Sequence, residues 1–306
     1  MRAEPGADTA GPGDGKVPNA EAATLPAPGA SPTSASESTP GSAWAGELTF
    51  ALELARSAGS ILMDRYERIE RIDYKSARDV VTEADHLSEA HVIDAIRARY
   101  PGDAILAEES GTHAAILTGG SDTARTWVID PLDGTVNYAN GLPVFCVAIG
   151  LTEGGRPVAG VVYDPTRDEA FAATADGPAT LNGRPIQASA KEKLSDCVIS
   201  LALAGRSVSS RLRAIRREIR ISRSMGSAAL ALAYVGNGRF DAFLQETSLS
   251  AWDIAAAGLI AERGGATLSA FDGSPWFDLA RPARGAGVIA APPRHHPRLR
   301  ELATAR

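Results

Sequence analysis

An apolar run, Trp127-Val128-Ile129, stops on Asp130-Pro131-Leu132-Asp133-Gly134-Thr135. Such a run suits a short buried strand, and the chain must then bring two carboxylates to its end. A strand end is a rigid platform, and Pro131 fixes one φ angle between the two acids, so their directions are constrained. On a turn of this length both carboxylates and the Leu132 carbonyl can converge on one centre. These are hard oxygen donors of the kind Mg²⁺ accepts. Gly134 permits close backbone approach, and a helix beginning at Thr135 would aim its N–H groups at the same spot, favouring an anion. The alternative is a polar turn, because Asp, Pro and Gly are all turn formers.

Three further acid sites bear on that choice. Glu108-Glu109 follows the apolar run 104–107, again a strand end, although an acid pair also suits a solvated loop. Asp85 lies three residues after Thr82, and Asp253 three after Ser250. Both spacings fit a helix N-terminal capping box, the favoured local role. A carboxylate in a first helical turn is stabilised by the macrodipole and held in a defined direction, so capping and metal ligation are compatible.

The surrounding chain reads as layered α and β structure. With 306 residues and a net charge of −6, it can bury a real core, and it lacks the basic excess of a general nucleic-acid or membrane-surface binder. Cys146 and Cys197 form no C-x-x-C pair and no signal-peptide layout is present, so a reducing cytoplasm is expected. Residues 1 to about 43 are rich in Gly, Pro, Ala, Ser and Thr and are expected to form a disordered tail. Order should begin near Ser42 to Trp44. The stripe Leu48, Leu52, Ala55, Gly59, Leu62, Tyr66 predicts one helix. A second is predicted over 83–99, with Leu87, Ala90, Ile93 and Ile96 inward and Pro101 beyond its end. Segments 144–152, 157–163, 169–174 and 179–187 are predicted as consecutive antiparallel strands. After Lys191 the pattern alternates: strands 197–203 and 218–223, helix 227–236, strand 240–245, helix 252–263, strands 266–270 and 286–291, helix 296–304. The chain thus divides into an antiparallel-rich half, about 46–190, and an alternating half, about 191–304.

Over residues 46–304 the chain resembles the inositol monophosphatase family of Mg²⁺-dependent, lithium-sensitive phosphatases. The resemblance rests on DVVTEAD, AEES, WVIDPLDGTVNYANGLPVFCVAIGL, GVVYDPTRDEAF, NGRPIQAS, SMGSAALALAYVGNGRFDAF and AWDIAAAGLIAERGGA. It implies an α/β fold, a layered α-β-α-β-α sandwich shared with fructose bisphosphatases, usually as a homodimer. It further implies two or three Mg²⁺ ions per subunit. Glu108, Asp130 and the Leu132 carbonyl match one metal site, and Asp130, Asp133 and Asp253 match a second, with Glu108 bordering a weaker third. Asp85 and Thr135 match the pair that orients the attacking water, and Lys75 a lysine near the flexible metal loop. Gly134 and Thr135 match phosphate-binding amides. Gly226, Ser227, Ala228 and Glu246, with Asp253, match groups around sugar or cyclitol hydroxyls. The family's usual glycine before the two glutamates is Ala107 here.

The implied reaction is hydrolysis of a small phosphate monoester by water, without a covalent intermediate. Neutral Val136 after the DPLDGT motif leans toward inositol or sugar monophosphates. Histidinol phosphate, fructose-1,6-bisphosphate and 3′-phosphoadenosine 5′-phosphate are the alternative substrates. A non-catalytic relative acting through protein or ribosome contacts is the alternative of another class. Segment 206–223 holds seven arginines against one glutamate. It is expected to be a solvated face, or else to reach a second phosphate.

Overall fold

The computed structural model describes residues 41–305, except 67, 69–71, 77–78, 115–124 and 206, and for 72–76 and 79–81 it describes the backbone alone. The expected tail therefore lies almost wholly outside the described residues, as does the side chain of Lys75.

Two helices, α1 (Ala45–Arg65) and α2 (Glu83–Arg99), flank a hairpin of β1 (Ile72–Ser76) and β2 (Asp79–Thr82). Eight strands then build the larger sheet: β3 (Ala104–Ala107), β4 (Gly111–His113), β5 (Arg125–Asp133), β6 (Cys146–Glu153), β7 (Arg156–Asp164), β8 (Glu169–Thr174), β9 (Thr180–Leu181) and β10 (Arg184–Pro185). A short helix, α3 (Thr135–Ala139), joins β5 to β6. The spatial order is β10-β9-β8-β7-β6-β5-β3-β4, and β3–β5 is its parallel pair.

The second half supplies β11 (Val198–Ala202), α4 (Val208–Glu218), β12 (Ile221–Arg223), α5 (Ala228–Gly236), β13 (Ala242–Leu249), α6 (Ala251–Arg263), β14 (Thr267–Ser269), β15 (Ala286–Ala291) and α7 (His296–Thr304). Its sheet runs β12-β11-β13-β15-β14. Helices α1 and α2 cover one face of the larger sheet, α5 and α6 lie between the sheets, and α4 and α7 cover the outer face of the smaller one. That is the five-layer α-β-α-β-α arrangement the resemblance implies.

Pleating explains the dense apolar runs. Trp127, Ile129, Ile149 and Val161 join the cluster under α1 and α2, whereas Ala148, Val162 and Phe171 point to the α5–α6 layer. Both faces are covered, so consecutive positions must be apolar. Helix α6 sits unusually close to the sheet. A Cβ on Gly160 would come within 2.7 Å of Ala256 Cα, and one on Gly150 within 3.0 Å of Ala255 Cβ.

The structure departs from the sequence reading in three places. Segment 179–187 is not one strand but the two short strands β9 and β10, folded back at Asn182 and Gly183. Only 221–223 of the strand expected over 218–223 is strand, because its first residue ends the unforeseen helix α4. The inward face of α2 is rotated: Ala90 is exposed, while Asp85, Ser88, Glu89 and Val92 are buried with Ile93 and Ile96. Polar groups occupy that face because hydrogen bonds draw them in: Ser88 donates to Pro131 O and Glu89 accepts from Glu109 N.

Candidate metal centre

A one-residue excess in β5 brings its two acids together. Asp130 pairs with Ala148 and Asp133 with Cys146, so three steps on β5 match two on β6. Without such a bulge, residues three apart would point to opposite faces. With it, both carboxylates face the α5–α6 layer, where Ala148 and Cys146 also point. Asp253 arrives there from the first turn of α6. Ligand oxygens of Asp130, Asp133 and Asp253 all lie within 4.8 Å of one another. Glu108 follows β3, and its N–H donates to Ile129 O at 3.2 Å, holding it beside β5. The Glu108 charge also acts on the Asp130 carboxyl. A cavity of about 430 Å³ opens here, lined by Glu108, Asp253, Ser248, Ser250, Trp252 and Arg284 among others.

The electrostatics are those of a buried anion cluster. Asp130 is 1% exposed. Burial pushes its carboxyl well above the usual range, and the charges of Glu108, Asp133 and Asp253 push it further. Asp253 is likewise raised by burial and by Asp133, against lowering by the Ser250 N–H and Arg284. Arg284, which lines the same cavity, is the cation whose charge acts on Asp253. A set of carboxylates with a backbone carbonyl, converging with Arg284 offsetting only part of the charge at Asp253, fits hard divalent cations. Burial likewise raises Asp85 to about 6.

These shifts have a definite sign. A carboxyl whose folded pKa lies above its unfolded value contributes stability that is complete below the unfolded pKa, around pH 4, and lost as pH rises through the folded one. For Asp85 that window runs from about pH 4 to about 6, and for Asp130 and Asp253 it extends upward. The metal-free protein should therefore melt higher at pH 5.5 than at pH 8, and Mg²⁺ should raise Tm more at pH 8. Thermal melts in EDTA and in Mg²⁺ at both pH values check this. Equal Mg²⁺ shifts at the two would contradict it.

Beside the cluster stands a second polar group. Asp85 Oδ2 accepts from Thr82 N at 2.8 Å and Thr82 Oγ at 2.6 Å, and its Oδ1 lies 3.1 Å from the Thr135 hydroxyl. The same hydroxyl is 3.0 Å from Leu132 O. Asp85 thus caps α2 and reaches Thr135 at once. Asp253 behaves in parallel, accepting from Ser250 N at 2.5 Å while joining the acid cluster. Gly134 precedes α3 at φ 98°, where a Cβ would meet Val144 O at 2.9 Å, so glycine is required.

The other expected site residues divide. Ser227 and Ala228 come to the cluster but turn onto Asp133: Ser227 Oγ donates at 2.5 Å, Ala228 N at 3.1 Å and Ala229 N at 2.8 Å. Gly226, at φ 76°, packs against the Asn137 side chain. Glu246 lines a different cavity and accepts from Ala204 N at 2.8 Å and Arg211 Nη1 at 2.7 Å. Lys75 lies on β1, its side chain outside the described residues.

Several contributors went unnoticed in the sequence. Ser88 Oγ donates to Pro131 O at 3.0 Å and Glu89 accepts Glu109 N at 2.8 Å, pinning α2 to both acid-bearing strand ends. Asn137 donates to Val144 O at 2.7 Å and Met225 O at 2.8 Å, joining α3 to the approach of α5. The signal for Ser88 and Glu89 was available: with Asp85 and Val92 they recur at helical spacing. Tyr138 is a packing group, fully buried with its hydroxyl donating to Leu62 O at 2.7 Å.

Comparison with known proteins agrees with this geometry. Residues 45–305 match the family described as inositol monophosphatase family. The Nus factor SuhB of Pseudomonas aeruginosa is 38% identical over 240 residues, covering 75% of this chain and 87% of that protein. Among solved structures, the extragenic suppressor protein suhB from Bartonella henselae superposes with a TM-score of 0.76 at 30% identity, over 85% of this chain and 99% of its own. An IMPase from Thermotoga maritima gives 0.75 at 30% identity, over 84% and 96%.

Proposed function

The chain belongs to the inositol monophosphatase family, whose members depend on Mg²⁺, and from that membership we propose that it hydrolyses a small phosphate monoester, inositol-1-phosphate or a related polyol or sugar phosphate. The observation that carries this reading is the convergence of Asp130, Asp133 and Asp253 within 4.8 Å, with the Asp85–Thr135 pair beside them at 3.1 Å.

Glu108, Asp130 and the Leu132 carbonyl would hold one Mg²⁺, and Asp130, Asp133 and Asp253 a second, with a third bordered by Glu108. When bound, such ions neutralise phosphate charge, acidify a coordinated water and stabilise a leaving oxygen. The chain's own residues supply orientation and proton handling. Thr135 has one hydroxyl proton, and directing it to Asp85 Oδ1 turns its lone pairs toward an incoming water. Asp85, raised to about 6 by burial, sits near neutrality, where a carboxylate can take that water's proton through the threonine hydroxyl. The water oxygen bonds to phosphorus, the ester P–O bond breaks, and the leaving oxygen is protonated from solvent. Gly134 and Thr135 would seat the phosphate, with Gly226, Ser227 and Ala228 near the alcohol; Glu246, held by Ala204 N and Arg211 in a different cavity, would stand apart. Ser227 and Ala228 act chiefly through Asp133. The working unit would be a homodimer.

A second reading comes from the relatives named Nus factor, and would make this chain such a factor. Retention of every acid of the cluster favours catalysis. Phosphate release from inositol-1-phosphate, with and without Mg²⁺, tests the choice. Mg²⁺-dependent turnover is expected, falling at least about a hundredfold in Thr135→Ala, as for loss of an orienting catalytic hydrogen bond. A folded wild type with no turnover on any of the four candidate esters would overturn the catalytic reading.

A further inference from the structure

The overall charge of −6 conceals a local excess of the opposite sign. Between 207 and 223 stand six arginines and one glutamate, so the rest of the chain carries −11. Helix α4 turns Ile215 and Arg211 into the core and leaves Arg213, Arg216 and Arg217 exposed, followed by exposed Arg220 and Arg223. Arg125, Arg167, Arg239 and Arg298 elsewhere, and Arg211 and Arg220 within this segment, each form an ion pair with a carboxylate. Glu218, the one acid on α4, is taken by Arg298. Among the described residues no carboxylate pairs with Arg213, Arg216 or Arg217. Three neighbouring cations therefore lack carboxylate partners on a chain with 37 acids against 31 bases.

We propose that this face of α4 binds single-stranded RNA through its phosphate backbone. Arg213, Arg216 and Arg217 recur at helical spacing on α4, about one turn, roughly 5 Å, apart, with Arg220 just beyond the helix and paired with Asp196. The row is one helix wide, suited to following a single strand rather than straddling a duplex. Guanidinium forks match phosphate oxygens. The exposed Ser209 stands at the head of the row, where its hydroxyl can meet a ribose 2′-hydroxyl. No aromatic residue lies on α4 or β12, so recognition is of backbone rather than base. Membrane insertion does not suit this helix, because its apolar side is already buried against the smaller sheet and α7. The face lies across that sheet from α6 and Asp253, so it is separate from the acid cluster.

Fluorescence anisotropy with a labelled oligouridylate of about 20 nucleotides tests this directly. Three or four phosphate contacts predict a log–log salt slope of roughly −2 to −3. The triple variant R213Q/R216Q/R217Q should bind at least about tenfold more weakly at low salt, with a slope shallower by about 2. Its Tm and phosphate release should be unchanged. Absent binding by the wild type, or equal binding by the variant, would overturn the proposal. So would equally tight binding of polyglutamate or of phosphatidylserine vesicles, which would point to an acidic protein or a lipid surface instead.

Discussion

Asp130→Asn is expected to abolish turnover and, in the same protein, to raise the melting temperature measured in EDTA. The two effects share one cause. Asp130 is buried between Glu108, Asp133 and Asp253, and its carboxyl is driven well above the usual range by burial first and those charges second. Ionised and without cations, it destabilises the fold; with cations it would be their shared ligand. Asparagine keeps the oxygen that accepts Leu132 N at 3.1 Å and removes the charge. Loss of a shared ligand should lower kcat at least about a thousandfold. Each kcal/mol of relieved repulsion should raise Tm by about 2–4 °C. Phosphate-release kinetics at saturating Mg²⁺ and melts in EDTA check the pair. Near-normal kcat would sink the role, and a lower Tm would sink the electrostatics.

Asp133→Ala should act oppositely on stability while also ending turnover. This carboxylate does more than add charge. It accepts from Ser227 Oγ and from the N–H groups of Ala228 and Ala229, closing the N-terminus of α5 from the end of β5. Burial raises its carboxyl, but those donors hold it back. Alanine would leave a buried hydroxyl and two helix-end amides without their acceptor. The expected loss is roughly 3 kcal/mol, a fall in Tm of roughly 6–12 °C. Melts of both variants in EDTA give the comparison: two acids of one cluster, each losing one charge, moving Tm in opposite directions. If both shift the same way, the division of labour between them is wrong.

What was legible in the sequence was chemistry at fixed spacing. Asp130, Asp133 and Asp253 could be marked as one group because the DPLDGT and WDIAAAG segments carry their neighbours with them, and the helices from 227 and 252 begin within a residue of the expected starts. The bulge in β5 was not legible. A proline between two acids reads equally well as a turn, and only pairing with Ala148 and Cys146 fixes which face the acids share. The buried face of α2 was misjudged because apolar periodicity ignores polar side chains that find partners across the fold, as Ser88 does at Pro131 O. Helix α4 was hidden for the converse reason: its four apolar residues are interleaved with four arginines, so the segment reads as mere charge. Glu246 was singled out without Arg211, whose contacts to Ala204 O, Ala303 O and Glu246 span chain segments far apart in sequence.

The closeness of α6 to the larger sheet bears on how this protein can evolve. Any side chain grown at Gly150 or Gly160 would have to lift the helix off its bed, and Asp253 rides on the helix's first turn. Those two glycines carry no reactive atom, yet drift at either would misalign the acid cluster from a distance. Selection for activity should therefore guard the emptiness beneath α6 as strictly as it guards the carboxylates themselves.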